Sequence, residues 1–279
     1  MNAENVLSEN ITKLLERQDK RFYLELGTIE PIPFFDVRAD EKHSVSTRYS
    51  DSFWERNQNE SGMSSADVEP QQFFEEGYGT TFAVLNNVRP RPFGVIHVEE
   101  HQCYVDIKDV FSQFLEYLHP TGVVILGGAN PNGEKSVVSE PSDSAPYHVW
   151  QGDLWKMIIE YRSGYEMEAF TTEDGLGVLW KRPDQELIRE AKKVASSMGS
   201  VTTGIPELAT IEALLGRRGP QAEQDLNLIL EQDPRLSYQK GQIDSLTLEN
   251  VTGDDINIKT PEYFNSFCNA VGILQRASR

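Results

Sequence analysis

The chain has 279 residues, of which 38% are hydrophobic, 10% aromatic and 25% charged. That is the composition of a folded domain with length enough for a sizeable core. Lys and Arg number 26 against 44 Asp and Glu, a formal net charge of −18, which argues against nucleic acid and against an anionic membrane surface as partners, since both need a basic footprint.

Cys103 and Cys268 lie far apart and supply neither a disulfide framework nor a CxxC metal site. Reduced thiols in a cytoplasmic protein are the simplest account. No stretch approaches the roughly 20 apolar residues of a spanning helix. The N-terminal run "MNAENVLSENITKLLERQDKRF" has no apolar signal core, so the sequons at Asn10, Asn59 and Asn250 read as chance matches.

In chain order, Val6, Ile11, Leu14 and Leu15 sit near helical spacing and predict an amphipathic helix over 3–19. "FYLEL" follows as a short apolar strand, and "KHSVST" as a weaker second one. The polar stretch from Tyr49 to Gly79 reads as a long surface loop with a short helix near "PQQFFEE". "TTFAVLNN" and "FGVIHVEE" are strand material. "VDIKDVFSQFLEYL" places Ile107, Val110, Phe111, Phe114, Leu115 and Leu118 on one helical face. "HPTGVVILGG" is a turn and then an apolar run of the kind buried on both sides in a parallel sheet. "GDLWKMIIEYR" is a helix with Asp153 placed as its N-cap. "MEAFTTEDGLGVLWKR" is two strands around a turn. This alternation predicts an α/β domain with a mainly parallel sheet.

After Pro183 the chain turns helical, in "DQELIREAKKVASSM", "PELATIEALLG" and "QAEQDLNLILEQ". "IDSLTLENVTG" predicts a strand at its end, and "TPEYFNSFCNAVGILQR" a closing helix opened by Thr260 and Pro261. The boundary falls near 182, giving a first domain over 1–182 and an α-rich extension over 183–279.

Several segments occur in an order that points to one family. They are "YLELG", "FGVIHVEEHQ", "IKDVFSQFLEYLHPTGVVILGGANP", "WQGDLWKMIIEYR" and "EDGLGVLWKR". Together they resemble the class I S-adenosylmethionine-dependent methyltransferases, in the small-molecule O-methyltransferase flavour of sugar and natural-product pathways. The resemblance covers Tyr23 to Arg182. It implies a Rossmann-like, seven-stranded, mostly parallel sheet flanked by helices, with the helical extension added.

The matching positions are scaffold positions: Trp150, Gly152, Asp153, Trp155, Lys156, Gly175 and Gly177. The positions that the resemblance assigns to cofactor or chemistry depart from the family pattern. Glu25 and Gly27 remain at the end of the first strand, but Pro31 stands where a second glycine is expected. Ser46 takes the place of the ribose-binding acid, and Gln71 that of the adenine-contacting aspartate. Glu99–Glu100 replaces Asp-Gly, and Gly127–Gly128 replaces a His-Asp pair that often supplies a base or a metal ligand. The resemblance therefore implies S-adenosylmethionine as the cofactor if there is one. Glu25, Gly27, Ser46 and Gln71 would hold it, with His101 and Glu99 as catalytic candidates.

Other patterns compete with these. His97, Glu99 and His101 alternate on one side of a strand and have the residue types of a zinc or iron set; a polar strand end is the commoner meaning, and no metal is assigned. "GGANPNG" lacks the Gly-Lys-Ser/Thr of a phosphate loop. "GRRGP" reads as a solvated turn, and Phe73, Phe74, Tyr78 and Phe82 as loop-packing aromatics rather than a ligand cleft.

The leading expectation is a divergent, inactive methyltransferase-fold protein acting as a binding or assembly component, with a protein partner or a second copy of itself. One alternative is an active methyltransferase on a small-molecule acceptor. Another is the same fold binding a different ligand or a metal.

Overall fold

The computed structural model describes residues 3–16, 22–27, 34–46, 51–61, 71–75, 92–99, 103–130, 152–164, 167–173, 175–198, 219–231, 236–238, 240–247 and 250–278. One sheet organises them. Its strands are β1 (Phe22–Leu26), β2 (Glu41–Ser46), β3 (Gln71–Glu75), β4 (Phe93–Val98), β5 (Leu118–Leu126), β6 (Met167–Thr172), β7 (Gly177–Lys181) and the two-residue β8 (Ile258–Lys259). The spatial order is β3-β2-β1-β4-β5-β7-β6-β8. The strands β3 to β5 of that row are parallel neighbours, β7 runs antiparallel to both β5 and β6, and β8 pairs parallel with β6.

The helices are α1 (Ala3–Glu16), α2 (Asp51–Ser61), α3 (Tyr104–Leu115), α4 (Trp155–Gly164), α5 (Gln185–Ser197), α6 (Gly219–Leu230), α7 (Lys240–Asp244), α8 (Gly253–Ile256) and α9 (Pro261–Ala277). They cover both faces of the sheet. Alternate residues of a strand point to opposite faces, so β1 sends Tyr23 into one apolar layer and Leu24 and Leu26 into the other. The first layer joins Val95, Ile125, Val178 and Trp180 to α1, Phe53 of α2 and the extension helices α5, α6 and α9. The second joins Ile96, Val124 and Leu179 to α3 and α4. Because β1, β4 and the second half of β5 are buried on both faces, they read as near-continuous apolar runs, interrupted by Glu25 in β1 and His97 in β4.

The extension shares the first layer. Phe267 of α9 packs its ring edge-on against Phe170 and Trp180, at centroid distances of 5.3 and 5.6 Å. Thr260 caps α9 by accepting from the Tyr263 N–H at 3.3 Å, with Pro261 in the first turn.

Three sequence expectations are corrected. Residues 51–61 form helix α2, not loop, because Phe53 is fully buried against Phe34 and Phe35 and Arg56 pairs with Asp36. Tertiary packing of one aromatic anchor outweighs a polar composition. Residues 71–75, expected as helix, are a strand, since the edge of β2 offers a parallel ladder from Lys42↔Gln71 to Ser46↔Glu75. The strand expected near 247–252 is instead at β8, after the capping box of Thr252 and Asp255 has started α8. "TTFAVLNN", "PELATIEALLG" and the proline turn 28–33 lie outside the described residues.

Candidate functional site

In an open α/β sheet, ligands bind beyond the carboxyl ends of the strands, where the chain crosses to opposite sides of neighbouring strands. Here that point lies between β1 and β4. Three backbone bonds hold the strand ends level: Gly27 N–H to Val45 at 2.8 Å, Glu99 N–H to Leu26 at 2.9 Å, and Gly127 N–H to Val98 at 2.8 Å. Gly27 leaves β1 at φ 82°, a conformation that glycine adopts freely and other residues rarely do.

Glu25 and Tyr23 point to the same face of β1, and Glu25 is the register partner of His97 on β4. All three are fully buried. The Tyr23 hydroxyl donates to Glu25 Oε2. His97 Nδ1 lies 3.1 Å from that same oxygen and 3.2 Å from the Tyr23 hydroxyl. Burial, then the charge of Glu25 and its hydrogen bond, hold the Tyr23 phenol well above its ordinary value, with a further contribution from Glu99. The phenol is therefore a fixed donor. His97 Nε2 is buried and has no partner among the described residues.

The expected residues fall as follows. Glu25, Gly27 and Glu99 come together at the β1–β4 edge, and Ser46 ends the next strand, β2, buried. Gln71 begins β3. It is four residues from the carboxyl end of its strand, about 13 Å at the usual rise, so it stands at the opposite edge of the sheet from the other four. His101 lies outside the described residues, as do Pro31 and Glu100. Among the described residues no three His, Cys, Asp or Glu side chains gather closely enough to hold a metal ion; His97, weighed as a ligand, turns Nδ1 to Glu25.

Two further features frame the site. Gly128, at φ 58°, starts the loop after β5. That loop is tied to the β6–β7 turn by Ala129 N–H to Gly175 at 2.9 Å and by the Asn130 amide to the carbonyls of Thr172 and Glu173, at 3.3 and 3.2 Å. Asp153 spans two helices. One carboxylate oxygen accepts the Tyr104 N–H at the start of α3, at 2.6 Å, and the other lies 2.9 Å from Lys156 Nζ. The Tyr104 hydroxyl reaches Glu160 on α4 at 3.0 Å. This clamp fixes the start of α3, immediately after the segment that carries Glu99.

The row β3-β2-β1-β4-β5 is a doubly wound parallel order, and one antiparallel strand, β7, is inserted between β5 and β6. This is the fold of the class I methyltransferases. Among solved structures, the chain is similar to the O-methyltransferase TomG from Streptomyces achromogenes, involved in tomaymycin synthesis and in complex with S-adenosylmethionine; identity is 17%, TM-score 0.40, over 64% of this chain and 79% of that one. It is also similar to the O-methyltransferase from Bacillus cereus in complex with S-adenosylhomocysteine, at 12% identity and TM-score 0.42, over 63% and 81%. No protein-family model and no curated protein matches the sequence.

Sequence reasoning named Glu25 and considered His97 only for metal. It missed Tyr23. The signal was there: an acid in the middle of "FYLEL" must find partners if buried, and Tyr23 two residues earlier shares its face.

Proposed function

We propose that the crevice at the β1–β4 edge binds S-adenosylmethionine and that the protein methylates a hydroxyl of a small-molecule acceptor. The observation that carries this is the gathering of Glu25, Gly27, Ser46 and Glu99 at the ends of three adjacent strands, at the switch point, with Gly27 held left-handed. Gly27 leaves room for a ligand to approach backbone. Ser46 offers one hydroxyl for ribose in place of a carboxylate. The cofactor, when bound, supplies an activated methyl group. What remains for the protein is to hold acceptor and donor together and to remove a proton.

A second reading, a binding or assembly component without catalysis, draws support from two observations. Gly127 and Gly128 supply no side chain where the resemblance expects a base or metal ligand, and Glu25 Oε2 is engaged by Tyr23 and His97.

Calorimetric titration with S-adenosylmethionine and S-adenosylhomocysteine separates the two. Micromolar binding that Gly27→Arg abolishes, in a variant whose circular dichroism stays native, supports the enzyme. Absence of binding at millimolar ligand by the folded wild-type protein refutes it and favours the second reading.

A further inference from the structure

We propose that His97 is the proton acceptor of this site, with Glu25 as its positioning residue. The inference rests on the methyl-transfer reading above and goes beyond it by naming the group that takes the acceptor's proton.

The argument begins with the two ring nitrogens. Nδ1 lies 3.1 Å from a carboxylate oxygen of Glu25, and a carboxylate only accepts hydrogen bonds. The Tyr23 hydroxyl already donates to that oxygen. The proton of a neutral His97 therefore belongs on Nδ1, where it completes the carboxylate's coordination. That leaves Nε2 as a bare lone pair. It is buried and without a partner among the described residues. An unpaired buried acceptor is costly, of the order of 1–3 kcal/mol, and such a group in a native fold points to a strained or catalytic role or to a missing ligand.

The arrangement of carboxylate, imidazole Nδ1–H and free Nε2 is the one by which a buried acid orients a histidine base and stabilises its charged form. Its place in the fold fits that chemistry. His97 is one residue short of the end of β4, two before Glu99, and beside Glu25 at the switch point. Nε2 is sealed from solvent, so a ligand hydroxyl that reaches it meets a lone pair with no competitor. In the step itself, the acceptor's O–H bond breaks, its proton goes to Nε2, and its electron pair stays on the acceptor oxygen. His97 becomes an imidazolium paired with Glu25.

The test uses full-length protein and needs no acceptor. The chain has 5 histidines, so long-range proton–nitrogen NMR of nitrogen-15-labelled protein resolves the rings, and His97→Gln assigns the signal. We expect neutral His97 to carry its proton on Nδ1 and Glu25→Gln to abolish that preference. In parallel, S-adenosylhomocysteine at about ten times its Kd is added to the same sample; we expect the His97 Nε2 signal to shift while the proton stays on Nδ1. A neutral His97 protonated on Nε2 overturns the proposal, as does a His97 ring signal that bound S-adenosylhomocysteine leaves unmoved. If calorimetry finds no S-adenosylhomocysteine binding yet the tautomer and its dependence on Glu25 hold, the methyl-donor reading falls and the Glu25–His97 base stands.

Discussion

Removing the carboxylate of Asp153 should destabilise the fold more than any single surface change. Asp153 is 1% exposed and its ion-pair partner Lys156 3%. The carboxylate lies 2.9 Å from Lys156 Nζ and accepts the Tyr104 N–H at 2.6 Å. Asp153→Ala leaves a buried ammonium without its anion, and breaking such a pair from one side costs about 3–5 kcal/mol. It also leaves the α3 N-terminus without a charged acceptor, a bond of about 1.5–3 kcal/mol when made to an ion. These share one carboxylate and do not add, so a loss near 4 kcal/mol is expected. Asp153→Ala combined with Lys156→Met removes the stranded charge, and the double variant should recover about 2 kcal/mol of that loss. Urea unfolding followed by tryptophan fluorescence measures both, with the midpoint moving and the slope unchanged. A cost below about 1 kcal/mol for the single variant, or a double variant less stable than the single, would refute the clamp.

Three further outcomes follow from named contacts. A Cβ on Gly177 would lie 2.7 Å from Ala129 Cβ and 3.0 Å from Ile158 Cδ1, whereas one on Gly175 meets nothing within 4 Å. Thermal unfolding should therefore show Gly177→Ala losing about 1–3 kcal/mol from overpacking, and Gly175→Ala losing about 1–2 kcal/mol from its φ of 96° alone. Phe267→Ala should cost about 3–5 kcal/mol by emptying the space between Phe170 and Trp180, read as a lowered urea midpoint. Burial, then Glu25, raise Tyr23 well above the ordinary phenol value of 10.0. Above about pH 10 the unfolded chain loses this proton while the folded chain keeps it, so stability falls as pH rises there. Tyr23→Phe should flatten that alkaline decline in pH-dependent melting; an unchanged slope would show that Tyr23 contributes nothing to it.

The sheet was legible where burial on both faces forces an apolar run, as in "FYLEL" and "GVVIL". It was illegible where a neighbour decides the matter. "QQFFE" is a strand because β2 presents an edge beside it, and "SDSFW" is helical because Phe53 finds Phe34 and Phe35, residues 18 or 19 positions earlier. The site divides the same way. Glu25 and Gly27 announce themselves at a strand end, by an acid in an apolar run and by a glycine after it. The pairing of Glu25 with His97 needs the register of two strands 72 residues apart, which no local pattern encodes. Gln71 begins β3, away from the carboxyl ends of the strands, a position hidden while its segment reads as helix.

The last helix closes the first. α9 packs against α1 and lies over β5, while Phe267 covers Phe170 and Trp180. During synthesis, then, strands β1 to β7 can pair while part of one face still lacks its cover, and that cover forms only once residues 261–277 have left the ribosome. A nascent chain stalled before Pro261 would present Phe170, Val178 and Trp180 to chaperones.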